Sequence, residues 1–210
     1  MAMDKGLLKL LGEKRAAAYS DPNSVLKEFD AFLESNGIYH SLNQSIFFKH
    51  IDGKTALAEF TLHMYSKATL DNERLFLLDC LLHMGYDKCK LAEMVLRVFR
   101  SEKENLCLWD YADFLYSIKV YSLLNDYISL IMDRSYGSAR QMLVLLVGES
   151  KSPLVVPYLL ELVREDEILG HVLIALSHFT DSRILPIMEA NTHNKTKWIA
   201  KVASDYVKKH

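Results

Sequence analysis

The residues with the most chemical promise lie in Trp109-Asp110-Tyr111-Ala112-Asp113. On a helix Trp109 and Asp113 are one turn apart, so an indole and a carboxylate share a face and could address one ligand. Elsewhere the Asp and Glu residues fall on expected solvent faces, and no pair is spaced for acid–base work. The chain contains no G-x-S-x-G, G-x-x-x-x-G-K-[ST] or G-x-G-x-x-G, which argues against nucleophile-elbow and phosphate-loop chemistry. His171, His178 and His193 lack H-x-x-x-H or H-E-x-x-H spacing, so no metal is expected. Cys80, Cys89 and Cys107 form no C-x-x-C pair, which removes zinc and disulfide frameworks and leaves Cys80 and Cys107 as small core hydrophobes. No cofactor is expected.

Other residues suggest contact rather than catalysis. Eleven tyrosines, several beside expected turns (Tyr39, Tyr86, Tyr121, Tyr136), suit protein-binding surfaces and interhelix packing alike. Arg140 is placed to bond a neighbouring loop carbonyl or an acid such as Asp133. The C-terminal stretch carries Lys195, Lys197, Lys201, Lys208 and Lys209 against Asp205, a pattern that reads as the polar outer face of a terminal cap.

The bulk properties set the background. The chain has 210 residues, 50% hydrophobic and 25% charged, with a formal net charge of -2. That is the balance of a soluble globular protein with no global attraction to nucleic acid or anionic lipid. Met1 to Leu11 does not read as a signal peptide, and no apolar run approaches the ~18 residues a membrane span needs. The expected setting is the cytoplasm, with no membrane partner.

The elements that must position these residues are helical. Asp21-Pro22-Asn23-Ser24 starts a helix whose Val25, Leu26, Phe29, Phe32 and Leu33 recur at helical spacing, and Asn36-Gly37 stops it. Periodicity lapses from Ile38 to Gly53, where Ser45 to Ile51 reads as a short strand or an irregular loop before an Asp52-Gly53 turn. Further helices are expected over Lys54 to Tyr65, over Asp71 to Met84 (stripe Leu75, Leu78, Leu82), and after Tyr86-Asp87 (face Leu91, Met94, Val95, Val98). The spacing predicts another pair over Leu106 to Ile118 and Tyr121 to Met132, with Leu106, Trp109, Ala112, Phe114, Leu115 and Ile118 facing the core.

The last third repeats itself. Gly137 to Gly148, then Ser152 to Pro157, is echoed about 29 residues later by Gly170 to Ser177, then Asp181 to Pro186. The spacing predicts helices over Gly137 to Val147, Pro153 to Val163, Ile168 to Phe179, Ser182 to Ala190 and Lys195 to Lys208. The Val147-Gly148 and Leu176-Ser177 endings, the polar turns after them, and Pro157 and Pro186 near the first turn of each second helix resemble the short HEAT-like repeat. The resemblance is good over Gly137 to Val207, weaker upstream to Asp71 and poor before Thr55. It implies an all-α fold: an α-solenoid of about five antiparallel helix pairs wound as a right-handed HEAT-like superhelix. The expected organisation is one domain, 1–210, with an irregular N-terminal cap over 1–53, degenerate pairs over 54–136 and clear repeats over 137–210.

The W-D-x-x-D pattern also resembles the catalytic helix of the HEAT-like alkylpurine DNA glycosylases. That resemblance implies Asp113 as the carboxylate that stabilises a cationic sugar, and Trp109 as an aromatic wall, with Trp198 the other tryptophan. Such chemistry needs cations along the same wall to hold phosphates, whereas Asp110 to Asp133 offers Lys119 against four aspartates.

The leading expectation is therefore a non-catalytic protein-interaction scaffold or adaptor whose partner is another protein. Tyr158, Glu161, Arg164 and Glu189, on the concave row of second helices, are the expected contact residues. The alternative is a nucleic-acid-binding or base-excising protein using Trp109, Asp113 and the lysine-rich end. A pocket near Ile38 to Gly53 is a third possibility without a motif.

Overall fold

A computed structural model of the chain describes residues 21, 23–35 and 54–210. The expected irregular cap from Ile38 to Gly53, with Tyr39, the Asn36-Gly37 stop and any pocket there, lies outside the described residues. Among those described, all regular structure is helical and no strand occurs. The chain divides into two compact units, Met1–Leu91 and Ala92–His210.

In the first unit the helices are α1 (Val25–Ser35), α2 (Lys54–Lys67) and α3 (Asp71–His83). The α1 start follows its sequence signal: Asp21 Oδ1 accepts the Asn23 amide at 2.8 Å, and Ser24 Oγ accepts the Leu26 amide at 3.2 Å. A second acceptor comes from far along the chain. Glu73, 1% exposed on the first turn of α3, takes the Val25 amide at 3.2 Å. Leu26, Phe29 and Leu33 pack with Leu57, Met64, Leu77 and Cys80, and Phe32 stacks on Phe60 at 3.8 Å between centroids. The expected α3 stripe of Leu75, Leu78 and Leu82 is corrected to Leu77, Leu78, Cys80 and Leu81. Helix α3 is apolar nearly all round, so periodicity alone could not select its buried face.

Helix α4 (Lys88–Ser101) buries Leu91, Val95 and Val98 as expected, together with Ala92, Leu96 and Phe99, while Met94 of the expected face is only half-buried. The second unit continues with α5 (Leu108–Ile118), α6 (Leu124–Met132), α7 (Arg140–Glu149), α8 (Val156–Leu162), α9 (Leu169–Leu176), α10 (Ile184–Asn191) and α11 (Lys197–Val207). Short 3-10 turns lead into α6, α7 and α8. Helix α7 starts three residues later than expected because Gly137 adopts φ 48°, ψ -132°, a conformation open to glycine but not to the helix.

Contacts in this unit skip one helix at a time. Helix α5 packs on α7, α7 on α9, and α9 on α11, while α6 lies against α7 and α8, α8 against α9, and α10 against α11. Paired contacts fix the direction of the first row. At one end Trp109 meets Gln141, Gln141 meets Glu167, and Gly170 meets Trp198. At the other, Tyr116 meets Glu149, Gly148 meets Ala175, and the Tyr206 hydroxyl donates to the Phe179 carbonyl at 2.9 Å. Helices α5, α7, α9 and α11 therefore run parallel. Gly148 lets the backbones of α7 and α9 come close, since a Cβ there would stand 2.6 Å from the Ala175 Cα.

Arg140 ties this unit together. Its side chain is buried at 1% exposure and donates to the Gly137 carbonyl at 3.1 Å, the Ile131 carbonyl at 3.1 Å and Glu165 Oε2 at 2.6 Å. The carbonyl contacts follow expectation, but the acid is Glu165 rather than Asp133. Asp133 is occupied by the Ser135 amide and hydroxyl and by Lys103. The bonds from Lys103 and Ser135 hold its carboxyl down at about 2.

Candidate functional site

Helix α5 buries Leu108, Tyr111, Ala112, Leu115 and Ile118, which leaves Trp109, Asp113 and Tyr116 together on another face at helical spacing. Two sequence expectations need correcting here. Leu106 is 99% exposed and Trp109 39% exposed, so neither faces the core. Leu106 sits in the turn before α5, and Tyr111 fills the interior position instead.

The face extends onto α7 and α9. Trp109 Nε1 donates to Gln141 Oε1 at 3.3 Å, and Gln141 Nε2 donates to the Glu167 carbonyl at 3.0 Å. Two turns on from Gln141, Glu149 accepts the Tyr116 hydroxyl at 2.6 Å and pairs with the Lys119 ammonium. Lys119 closes α5 in the left-handed conformation, φ 54°. Burial works to raise the Glu149 carboxyl, but the bonds from Lys119 and Tyr116 outweigh it and hold the group below its ordinary value. The same hydrogen bond to Glu149 pushes the Tyr116 phenol up to about 12.

Asp113 stands between these two polar links. It is half-buried and makes no hydrogen bond or ion pair with another described residue. Burial first, and the Asp110 charge second, raise its carboxyl above the ordinary aspartate value. Trp109 and Asp113 do share a face, as the spacing predicts. The neighbours placed along it are Gln141, Glu149 and Tyr116, with the one lysine, Lys119, engaged by Glu149.

At the far end of the row, the Trp198 ring lies against Gly170 and meets His171 edge-on, 5.8 Å between centroids. Burial lowers the His171 imidazole below its ordinary value. His178 and His193 are exposed, and among the described residues no three His, Cys, Asp or Glu side chains gather as a metal site would require. Cys80 is buried, Cys107 half-buried and Cys89 exposed.

The four expected contact residues lie elsewhere. Tyr158 and Glu161 are exposed one turn apart on α8, Arg164 follows that helix, and Glu189 is exposed on α10. None of their side chains makes a hydrogen bond or ion pair with a described residue. Leu154, 52% exposed in the turn before α8, adds apolar surface one turn from Tyr158. Sequence reading missed Tyr116, Gln141, Glu149 and Glu165. The first was legible as the residue seven after Trp109, while the others show their role only once the helices are paired.

No helix among the described residues is long and apolar enough to cross a membrane. Comparison with protein-family models, with characterised proteins and with solved structures finds nothing that matches the chain.

Proposed function

We propose that this chain is a non-catalytic protein-interaction module built as an α-solenoid of antiparallel helix pairs. Support for the architecture is the parallel row α5, α7, α9, α11: each connecting helix must return from the C-terminal end of one member to the N-terminal end of the next. Stacked units of this kind bury a continuous core and leave rows of side chains for recognition. Three cysteines without C-x-x-C spacing suit a reducing, cytoplasmic setting.

The observation that carries the interaction reading is the exposed set Leu154, Tyr158, Glu161 and Arg164 on and around α8. An aromatic ring and an aliphatic side chain flanked by unpaired charges form the mixed core-and-rim composition of a protein contact. The test is affinity capture with the full chain and with a Leu154→Ser/Tyr158→Ala variant of matched helix content. A stoichiometric partner that the variant loses supports the module, whereas a partner retained equally by both moves the contact elsewhere.

A second reading, base excision from nucleic acid, draws on Asp113, a half-buried carboxylate without a bond beside exposed Trp109. It requires phosphate contacts that weaken steeply with salt. A fluorescent duplex titrated at low and near-physiological ionic strength tests it, followed by base release from the Asp113→Asn variant. No binding at low salt removes the reading.

A further inference from the structure

Charge in the second unit is unevenly settled. From residue 92 to 194, fourteen Asp and Glu outnumber nine Lys and Arg. Six of those cations are ion paired: Arg100 with Asp126, Lys103 with Asp133, Lys119 with Glu149, Arg134 and Arg140 with Glu165, and Arg183 with Asp181. From 195 to 210 the balance reverses to five Lys and one Asp. Lys195, Lys197, Lys201, Lys208 and Lys209 are all exposed, and none is paired with a described residue.

The helix dipole accounts for Lys208 and Lys209, which follow α11. It works against Lys195 and Lys197, which stand at the N-terminal end, where positive charge is unfavourable and no acid occupies the first turn. These two lysines are therefore not explained by the stability of their own helix. Lys197 and Lys201 fall within one stripe of α11, continued by Lys208 at its C-cap, opposite the buried Ile199, Ala203 and Tyr206. Trp198 borders that stripe and is 46% exposed.

We infer that the outer face of α11 docks an acidic segment of a partner protein, with its carboxylates along the lysine stripe and an apolar side chain against Trp198. The complement of five unpaired ammonium groups is negative charge, and three features select its source. The apolar face of α11 is already buried, so only Trp198 remains to enter a bilayer, too little for an interfacial helix. The lysines follow a single helix over about 16 Å at 1.5 Å per residue, a narrow line that matches one extended or helical peptide. A nucleic-acid duplex is broader, and the excess of acids over residues 92–194 repels its phosphates. This face is separate from Leu154 and Tyr158, and the inference does not depend on them.

The test uses the full chain and a fluorescein-labelled 16-residue peptide with Glu at every third or fourth position and Leu between. A matched peptide with Gln for Glu, a short DNA duplex, and phosphatidylcholine vesicles containing phosphatidylserine complete the set. The expected result is saturable binding of the Glu peptide, weakened roughly tenfold between low and physiological salt, with the Gln peptide inert. Lys197→Glu/Lys201→Glu, two exposed changes that leave the core intact, lowers affinity about tenfold or more. In a Trp109→Phe background the emission of Trp198 shifts on binding. Failure to bind at low salt, affinity indifferent to the charge reversal, or tighter binding of the duplex or the vesicles would each overturn the inference. The same double variant should capture any partner held through Tyr158 unchanged, so the two surfaces are judged independently.

Discussion

Gly170 lies so close beneath the Trp198 indole that a Cβ at that position would stand 1.8 Å from ring atom Cη2. The last helix is thus seated on α9 by a residue with no side chain and one with the largest. Gly170→Ala must push the indole aside, and because Trp198 is partly exposed the ring has room to pivot. The expected cost is about 1–3 kcal/mol. Gly148→Ala is expected to cost more, because its obstacle is the Ala175 backbone at 2.6 Å rather than a ring. Thermal unfolding of both variants measures this, and the reverse order would contradict the packing described.

Arg140 is the buried cation on which three segments converge. Replacing it by Met removes the donor to the Ile131 and Gly137 carbonyls and leaves Glu165 with Arg134 alone. The expected loss is about 2–3 kcal/mol, from buried carbonyls left without this donor while Glu165 keeps a partner. Urea unfolding would show it as a lowered midpoint, and a loss below about 1 kcal/mol would mean that the site relaxes around the change.

Stability should fall on the acid side. Burial works to raise the Glu165 carboxyl, but the bonds from Arg140 and Arg134 prevail and hold it below the ordinary 4.5; Glu149 is likewise lowered. A lowered carboxylate contributes stability that is fully present above its unfolded value and lost as pH falls through its folded one. Urea midpoints should be flat above about pH 5 and drop below about pH 4, with a shallower drop in Arg140→Met.

The His171 imidazole, lowered by burial, has the same sign with a different window. Its neutral form is favoured in the folded chain, so its contribution is complete above the ordinary 6.5 and is lost as pH falls through the lowered value. In the Trp109→Phe background, Trp198 emission should titrate with a midpoint below 6.5, since the imidazole meets that ring edge-on. A midpoint above 6.5 would show that the indole stabilises the imidazolium instead.

The helical character of the chain was legible wherever apolar residues kept a clean period, as along α1 and α4. It misled where that period was blurred: α3 is apolar all round, and the core assignment of Leu106 failed because the chain has not yet entered α5. The shared face of Trp109 and Asp113 follows from spacing on one helix. What Asp113 stands beside does not, because Gln141 and Glu149 come from a neighbouring helix whose register shows only in the Trp109–Gln141 and Tyr116–Glu149 bonds. Glu73 and Glu165 were illegible for a similar reason. Each is an ordinary acidic residue until a partner 48 or 25 residues away closes on it.

Helix α11 makes its main contacts with α9 and α10, so its opening spares the packing of α5 on α7. Opening would lift Ile199, Ala203 and Tyr206 out of their seats, break the Tyr206 bond to Phe179 and uncover the α9 surface around Gly170. Amide hydrogens in α11 should therefore exchange with solvent before those of α7, and proteolytic clipping should begin in the Thr192–Thr196 connection. This unit comes apart locally before it comes apart as a whole, and the helix packed away from the α5–α7 contact is the first to leave.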